Sequence, residues 1–215
     1  MPATPPSADE VLTTTRSVRR RLDLTRPVPR ELLLECLEIA VQAPTGGNRQ
    51  GWHFVFVSDP DRKRAVAGHY RRAYDAYAQG PRPAYDESDI RGRRMDQLRG
   101  SSRHLADHMH EAPWLAIPVI HGRLPEDASA ATQASLWGSI LPAFWSFMLA
   151  ARARGLGTTW TTLHLVYERE VAEVLGIPYE RFTQAGLTPV AFTTGGDFHP
   201  VPRIPMESVT HWEGW

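Results

Sequence analysis

A dense cluster of cations lies near the start of the chain, in the sequence Arg16-Ser17-Val18-Arg19-Arg20. Between Arg16 and Arg30 there are six arginines and one acid, although the whole chain is neutral. Guanidinium groups bind phosphate bidentately, so this pattern, with a hydroxyl inside it, is typical of a pocket for a phosphorylated ligand. In an extended backbone Ser17 and Arg19 point to the opposite side from the other three residues. The alternative is a solvated basic loop that pairs with some of the 24 acidic residues.

A second candidate region is Pro44-Thr45-Gly46-Gly47-Asn48-Arg49-Gln50-Gly51-Trp52. Two consecutive glycines allow backbone N–H groups to approach a flat ligand closely. The side-chain amides of Asn48 and Gln50 provide donors and acceptors for the edge of a heterocycle. The same residues also suit a plain helix C-cap followed by a turn.

A run of hydroxyl side chains, Thr158-Thr159-Trp160-Thr161-Thr162, follows a long apolar segment. An ordinary strand is the alternative to a ligand contact here, because β-branched residues favour strands. The preceding Gly155-Leu156-Gly157 has two glycines of a dinucleotide fingerprint. It follows a predicted helix where the fingerprint requires a strand, so we interpret it as a helix stop.

Several catalytic signatures are missing from the sequence: GxxxxGK[ST], HExxH, GxSxG and SxxK. Cys36 is the only cysteine, which excludes an intrachain disulfide framework and a metal site built on cysteines. His104 and His108 share a helix face, but their context favours a solvated helix end over a metal site. Lys63, the only lysine, lies in a polar segment and is expected to be solvated.

The composition is that of a globular protein, with 215 residues of which 42% are hydrophobic and 22% charged. Equal numbers of basic and acidic residues argue against a nucleic acid or an anionic membrane as partner, since both need a basic surplus. Residues 1–10 lack the apolar segment of a signal peptide. The apolar stretch Leu136–Ala151 is interrupted and is shorter than the roughly 20 residues of a membrane span. We therefore expect a soluble, cytoplasmic protein.

The order of predicted elements indicates a mixed α and β fold in one domain, residues 1–215. Helices are predicted at Asp9–Arg16, Glu31–Ala43, Asp59–Tyr77, Thr132–Arg154 and Glu168–Leu175, and strands at Trp52–Val57, Trp114–His121, Thr158–Leu163 and Leu187–Thr193. Pro142 should kink the longest helix. The polar segment Gln79–Arg103 is interpreted as a mobile excursion or lid, and Gly195–Trp215 as an arm that docks on a second subunit.

Taken in order, four elements of the sequence resemble the FMN-dependent nitroreductase family: Arg16-Ser17-Val18-Arg19, Ala43–Trp52, Gly155-Leu156-Gly157-Thr158 and Arg203. The resemblance extends from Thr14 to about Val209 and is weakest in segment 79–103. It implies an α+β, nitroreductase-like fold with a small, mainly antiparallel sheet flanked by helices. It also implies an intertwined homodimer with two FMN sites at the interface, each built from both chains.

The resemblance also implies roles for particular residues. Arg16, Ser17 and Arg19, with Val18 and Arg20 beside them, would lie at the FMN phosphate and ribityl chain, and Arg203 would be a second phosphate clamp. The other subunit would supply the residues that line the ring: Pro44, Thr45, Gly46, Asn48 and Gln50. Residues after the glycine pair would pass near flavin N5: Thr159, Thr161, Thr162 and Leu163.

Three positions depart from the family pattern. Thr15 stands where many members have an arginine, Thr45 replaces a serine, and Gly51 replaces a proline. The replacement of serine by threonine keeps a hydroxyl. Whether Arg20 supplies the charge missing at Thr15 is left open by the sequence.

The resemblance implies hydride transfer from NAD(P)H to flavin N5 and then reduction of a nitroaromatic, a quinone or a related small-molecule acceptor. Since the flavin carries the electrons, no catalytic side chain and no metal are expected. A cation near the N1–C2=O edge favours the reduced flavin, and Arg19 is the candidate. Four tyrosines either cover the ring or only pack between helices: Tyr70, Tyr74, Tyr77 and Tyr85.

Two other functions remain open at this stage. Relatives with the same fold carry out reductive dehalogenation or break down flavin itself, and the threonine run Thr158–Thr162 resembles the dehalogenase branch. A flavin-binding protein without turnover is the third possibility. The sequence sets neither the acceptor nor a preference between NADH and NADPH.

Overall fold

A six-stranded sheet lies at the centre of the computed structural model, which describes residues 6–81, 83–86, 88–195 and 197–215. Its strands are β1 (Leu22–Asp23), β2 (Trp52–Val57), β3 (Trp114–His121), β4 (Leu156–Thr158), β5 (Phe182–Gln184) and β6 (Thr188–Thr193). The order is β1-β6-β3-β2, with β4 paired to β6 and β5 paired to β3. All of these pairs are antiparallel. The expected α+β fold with a small antiparallel sheet is confirmed.

Six helices in the described ranges surround this sheet: α1 (Ala8–Thr14), α2 (Arg30–Ala40), α3 (Pro60–Gln79), α4 (Met95–His108), α5 (Ala130–Ala153) and α6 (Glu168–Leu175). Their starts follow local capping chemistry. The Ser7 and Ser129 hydroxyls accept backbone N–H bonds at the starts of α1 and α5, and Asp59 does the same for α3, whose first residue is a proline.

Two apolar clusters form because β3 is buried on both faces of the sheet. Leu115, Ile117 and Val119 belong to the cluster that α3, α4 and α6 complete, whereas Ala116 belongs to the cluster of α2 and α5. Successive strand residues point to opposite faces, which explains this division. Full burial of one large aliphatic side chain contributes about 1.5–3 kcal/mol, so the sheet is a firm platform for the loops at its edges.

Helix α5 is a core helix. Phe144, Phe147 and Ala151 are fully buried in the cluster that α5 shares with α2. The helix continues as one element through Pro142. The helix is long enough to cross a membrane, and its most apolar 18 residues have a mean hydropathy of 1.4. However, 44% of those 18 residues are buried inside the protein. The burial accounts for its apolar composition.

The region after α5 departs most from the sequence-based prediction. The strand predicted at Thr158–Leu163 is wrong, because β4 ends at Thr158 and a 3-10 turn covers Leu163–Tyr167. The backbone N–H of Thr159 donates to the hydroxyl of Thr188 (2.8 Å) instead of continuing a strand ladder. Strands β1 and β5 were not predicted, since two or three residues are too few to show a period of two.

Two further differences concern α3 and the segment after it. Lys63 is only 8% exposed, and its Nζ donates to the carbonyl of Ala112 (2.6 Å), so the prediction of a solvated lysine is wrong. Burial lowers the pKa of Lys63. The second half of the predicted excursion 79–103 is occupied by α4, preceded by a 3-10 turn at Gly92–Arg94.

Candidate functional site

The N-terminal arginine segment is fixed to the sheet by backbone contacts around Val18. Ser17 forms a parallel bridge with Thr158, and the N–H of Val18 donates to the carbonyl of Thr158 (2.8 Å). The hydroxyl of Thr159 donates to the carbonyl of Val18. Val18 is therefore buried, and Arg16 and Arg19 on either side of it are partly buried.

The same segment lines a cavity of about 970 Å³, which we call the arginine cavity. Three stretches of chain form its walls: 16–21, 90–101 and 197–204. All five predicted residues from Arg16 to Arg20 line it, and so does Arg203 from the far end of the chain. The structure thus brings the two predicted arginine groups together within a single protomer.

Arg16 has an unfavourable electrostatic environment in the arginine cavity. Burial is the main cause that lowers its pKa, and the like charges of Arg94, Arg203 and Arg152 lower it further. Its Nη2 atom is buried and has no hydrogen-bond partner among the described residues. A buried, unpartnered guanidinium N–H among other cations is unfavourable by itself and is suited to an anion.

Arg21 holds the chain that carries Arg203. Its Nε and Nη1 donate to the carbonyls of Thr194 (3.0 Å) and Asp197 (3.2 Å). Its guanidinium also lies 4.4 Å from the ring centre of Phe198, and that of Arg152 lies 4.7 Å from it. Cation–π contacts of this kind stabilise by about 0.5–1 kcal/mol or more. They fix the position of residues 197–204 beside the N-terminal segment.

A smaller cavity of about 350 Å³ lies next to the first, and we call it the tyrosine cavity. It is lined by Arg19, Tyr70, Tyr74, Tyr77, Ser102 and the stretch Thr159–Leu163. The predicted residues Thr159, Thr161, Thr162 and Leu163 therefore lie together with three of the four predicted tyrosines. The fourth, Tyr85, contacts Arg91 instead.

Arg19 is the one predicted residue that borders both cavities. Its Nη1 donates to the Ser101 hydroxyl (3.4 Å). Burial lowers its pKa, an effect that the nearby phenols of Tyr70 and Tyr74 partly oppose. The pKa of Tyr70 is raised, chiefly by its own burial. The side chain at the junction is therefore a partly desolvated cation beside two phenol side chains.

The predicted loop Pro44–Gln50 lies elsewhere and lines neither cavity. Asn48 and Gln50 both adopt left-handed backbone conformations, with φ of 54° and 48°. They are held there because Gln50 Nε2 donates to Asn48 Oδ1 (2.9 Å) and the Gln50 N–H donates to the Thr45 hydroxyl (3.1 Å). The N–H of Gly46 donates to Ser139 of α5 (3.0 Å). Within one protomer this loop and the arginines remain apart.

The residues considered for other chemistry form no alternative site. The rings of His104 and His108 are 4.5 Å apart, and His108 contacts Glu111. Across the described ranges, no group of three or more His, Cys, Asp or Glu could hold a metal ion. Cys36 is fully buried, and burial raises its pKa to about 11, so its thiol is not a nucleophile.

Three residues of the candidate site were not predicted from the sequence: Arg94, Arg152 and Phe198. Arg152 lies in the last turn of α5, and its Nη2 donates to Thr14 (3.2 Å). Each is separated from the N-terminal segment by much of the chain, so local spacing carries no signal of their contact. The abundance of arginine further hides any single one.

Comparison with known proteins identifies the fold. The sequence profile described as the Nitroreductase family matches residues 12–191. The chain belongs to the nitroreductase family. This membership confirms the resemblance, and the matched residues include three of its four sequence elements, all but Arg203.

Members of the nitroreductase family that resemble this chain have diverse names. It is 32% identical to an NADH dehydrogenase of Thermus thermophilus, over 92% of this chain and 91% of that protein. It is 26% identical to a 5,6-dimethylbenzimidazole synthase of Rhodospirillum rubrum, over 83% of this chain and 78% of that protein. Iodotyrosine deiodinase bound to FMN and 3-iodo-L-tyrosine has a TM-score of 0.69, with 23% identity, over 96% of this chain and 98% of that one. The protein is therefore a nitroreductase-family oxidoreductase whose specific reaction the family does not fix.

Proposed function

We propose that this protein is an FMN-dependent oxidoreductase that uses NAD(P)H to reduce a nitroaromatic, a quinone or a related small molecule. We propose further that it works as a cytoplasmic homodimer. The observation that carries the proposal is the buried, unpartnered Nη2 of Arg16 in a cavity that also contains Arg203. The deiodinase of the same fold binds FMN, and the name of the Thermus relative supports NADH as a donor.

The arginine cavity fits the phosphate of FMN. Such a phosphate carries a charge of about −1.5 to −2 at neutral pH and has three strong acceptor oxygens. Arg16 and Arg203 would bind it, and Ser17 adds a hydroxyl on the same wall. Hydrogen bonds to charged groups contribute about 1.5–3 kcal/mol each, which would offset the mutual repulsion of the arginines.

The tyrosine cavity fits the ring end of the same ligand, since Arg19 joins it to the arginine cavity. When bound, FMN would supply a flavin N5 that accepts a hydride from NAD(P)H and delivers it to the acceptor. Arg19 would stabilise negative charge at the pyrimidine edge of the reduced ring. Thr161 and Thr162 bring hydroxyl groups to the wall of this cavity, whereas the N–H and hydroxyl of Thr159 are already bonded to Thr188 and Val18. The tyrosines would exclude water from one side.

The proposed homodimer would complete the site with the loop Pro44–Gln50 of a second copy. This loop is exposed in the protomer, and its left-handed Asn48 and Gln50 are held by its own hydrogen bonds. A loop that keeps this conformation without a ligand is preorganised, which reduces the entropy lost on binding. Its separation from the arginine cavity within one chain agrees with a site shared by two chains.

An absorbance spectrum of the purified protein tests the proposed function. We expect a visible flavin band, either as isolated or after FMN is added and the excess removed, and bleaching of this band by anaerobic NADH or NADPH. Subsequent addition of a nitroaromatic or a quinone should restore the band. A protein that binds no FMN under these conditions would refute the proposal. Flavin that is bound but never bleached would indicate a binding protein without turnover.

A reductive dehalogenase is the second candidate. The observation that favours it is the pair of threonine hydroxyls at Thr161 and Thr162 on the wall of the tyrosine cavity. Nitroaromatic and halogenated phenolic acceptors should be compared at equal concentration with the same reduced protein. Faster reoxidation by the halogenated acceptor, with release of halide, would favour this candidate. Consumption of the bound flavin itself would favour a flavin-degrading enzyme.

A further inference from the structure

Residues 90–101 form one wall of the arginine cavity. This wall carries a cation that was not predicted from the sequence as a site residue. Arg94 lies at the start of α4 and lines the cavity together with Arg16 and Arg203. The positive charge of Arg94 lowers the pKa of Arg16 more than the positive charge of Arg203 does. Arg94 therefore faces the same cavity as Arg16 and Arg203, where an anion could contact all three.

Arg94 differs from Arg91 and Arg99 because its guanidinium has no carboxylate partner among the described residues. Its Nε and Nη2 donate only to the side-chain carbonyl of Gln97, at 3.3 and 3.2 Å. Arg91 in the same segment forms an ion pair with Asp89 (2.7 Å), and Arg99 forms one with Asp96 (3.2 Å). The charges of these two arginines are thus satisfied locally, and that of Arg94 is not.

The cations of this cavity repel one another. Arg16, Arg94 and Arg203 bring three positive charges to one cavity, and burial weakens the screening of the Arg16 charge. A dianionic phosphate would convert this repulsion into attraction. Because Arg94 belongs to a different segment from the other two, the same anion would also join that segment to the rest of the protein.

Among the described residues, few hydrogen bonds hold the segment around Arg94 to the rest of the protein. The hydrogen bonds of residues 88–94 join near neighbours in the sequence; for example, the Gly92 N–H donates to the Asp89 carbonyl (3.1 Å). Farther along, Ser101 accepts from Arg19 and the carbonyl of Arg99 accepts from Tyr74, both at 3.4 Å. Bonds of this length are weak.

We propose that Arg94 is a third phosphate-binding arginine of the FMN site, and that the phosphate fastens residues 88–101 over the flavin. This inference rests on the proposed function, since it assumes that FMN is the ligand. It follows that residues 88–101 close over the site only when the ligand carries a phosphate. FMN closes this segment, and riboflavin, which lacks the phosphate, does not.

The test compares Arg94→Gln with Arg93→Gln, a neighbour in the same 3-10 turn that does not line the cavity. Dissociation constants for FMN and riboflavin are measured by quenching of flavin fluorescence. We expect Arg94→Gln to weaken FMN binding by about 10-fold, the loss of one charge-assisted hydrogen bond, without changing riboflavin binding. Arg93→Gln should leave both constants unchanged.

Hydrogen–deuterium exchange gives a second readout that does not depend on activity. FMN should slow exchange in residues 88–101 of the wild type, riboflavin should not, and Arg94→Gln should abolish the difference. The inference is overturned if Arg94→Gln binds FMN as tightly as the wild type, or if it weakens FMN and riboflavin equally. If the wild type binds neither flavin, the proposed function itself fails, which is a distinguishable result.

Discussion

At the scale of single residues, the proposed chemistry depends on guanidinium groups that have no carboxylate partner among the described residues. Arg16 and Arg19 could be selected from sequence because they flank Ser17 and Val18 at a spacing that resembles the family pattern. Arg94 and Arg152 could not, because their proximity to Arg16 arises only when distant segments fold against each other. The burial of Lys63 was likewise hidden, since its sequence neighbours are polar and only its own side of α3 faces the core.

Arg19 should control the reduction potential of the bound flavin. Replacing it with glutamine removes a partly desolvated cation that would stabilise the reduced ring. We expect the two-electron midpoint potential to fall by on the order of 30 mV, equivalent to about 1.4 kcal/mol. An anaerobic titration against a reference dye, at saturating FMN, measures this shift. Arg19→Lys is the charge-retaining control, and identical potentials for wild type and Arg19→Gln would contradict the assignment.

His164 should make the protein less stable in acid. It is fully buried, neither ring nitrogen has a partner among the described residues, and burial lowers its pKa to about 3. The unfolded chain would bind its proton near pH 6.5, so between about pH 6.5 and 3 only the unfolded state is protonated. The free energy of unfolding should therefore fall as the pH falls, by up to about 1.4 kcal/mol per pH unit.

Urea denaturation of the flavin-free protein at about pH 7 and about pH 4.5 measures this effect. His164→Met removes the titrating group and keeps an apolar side chain of similar size. The wild type should lose more stability than His164→Met between the two pH values. Parallel losses in the two proteins would show that His164 does not titrate as its burial implies.

At the scale of elements, the contact between the N-terminal segment and β4 positions the whole site. The long helices and strands were predictable from periodicity, because each presents an apolar face over many residues. The stretch after Thr158 was not, because threonine side chains suit a strand while the hydroxyl of Thr188 captures the backbone of Thr159. Tertiary contacts there override local preference.

Gly157 should be essential to this contact. A Cβ atom at this position would lie 2.8 Å from Thr193 Cγ2, 2.9 Å from Leu22 Cδ2 and 3.0 Å from Val18 Cβ. We expect Gly157→Ala to lower the free energy of unfolding by about 1–3 kcal/mol through overpacking, and to weaken FMN binding by displacing the arginine segment. Chemical denaturation and a flavin titration measure the two effects.

Gly68 provides the matched control. It is exposed within α3, and a Cβ there would meet nothing within 4 Å. Gly68→Ala should raise the stability by about 0.5–1 kcal/mol, because alanine favours a helix interior. Equal stabilities for the two alanine variants would contradict the close packing at Gly157.

At the scale of the whole molecule, the expected partner is a second copy of the chain. The described C-terminal residues leave large apolar side chains in solvent, with Trp212 87% and Met206 75% exposed. A single protomer does not explain why these apolar side chains are exposed. It also does not explain why the Pro44–Gln50 loop lies apart from the arginine cavity. The irregular C-terminal segment predicted an arm, and the family resemblance implied a shared site, but composition alone could not indicate where the arm docks.

Removal of residues 206–215 should weaken the homodimer without unfolding the protomer. The side chains lost are exposed, so the thermal unfolding of the protomer should change little, whereas apolar contacts with a second copy would disappear. Sedimentation equilibrium of the full-length and shortened proteins over a range of concentrations measures the dimer dissociation constant. An unchanged constant would mean that the arm does not contribute to the interface.

The central claim is that arginines from both ends of the chain bind one phosphate, and the ratio of FMN affinity to riboflavin affinity tests it most directly. This ratio should be measured in the wild type, Arg16→Gln and Arg203→Gln. The account predicts that each substitution lowers the ratio by about 10-fold or more while riboflavin affinity is unchanged. A ratio that stays at the wild-type value in Arg203→Gln would contradict it.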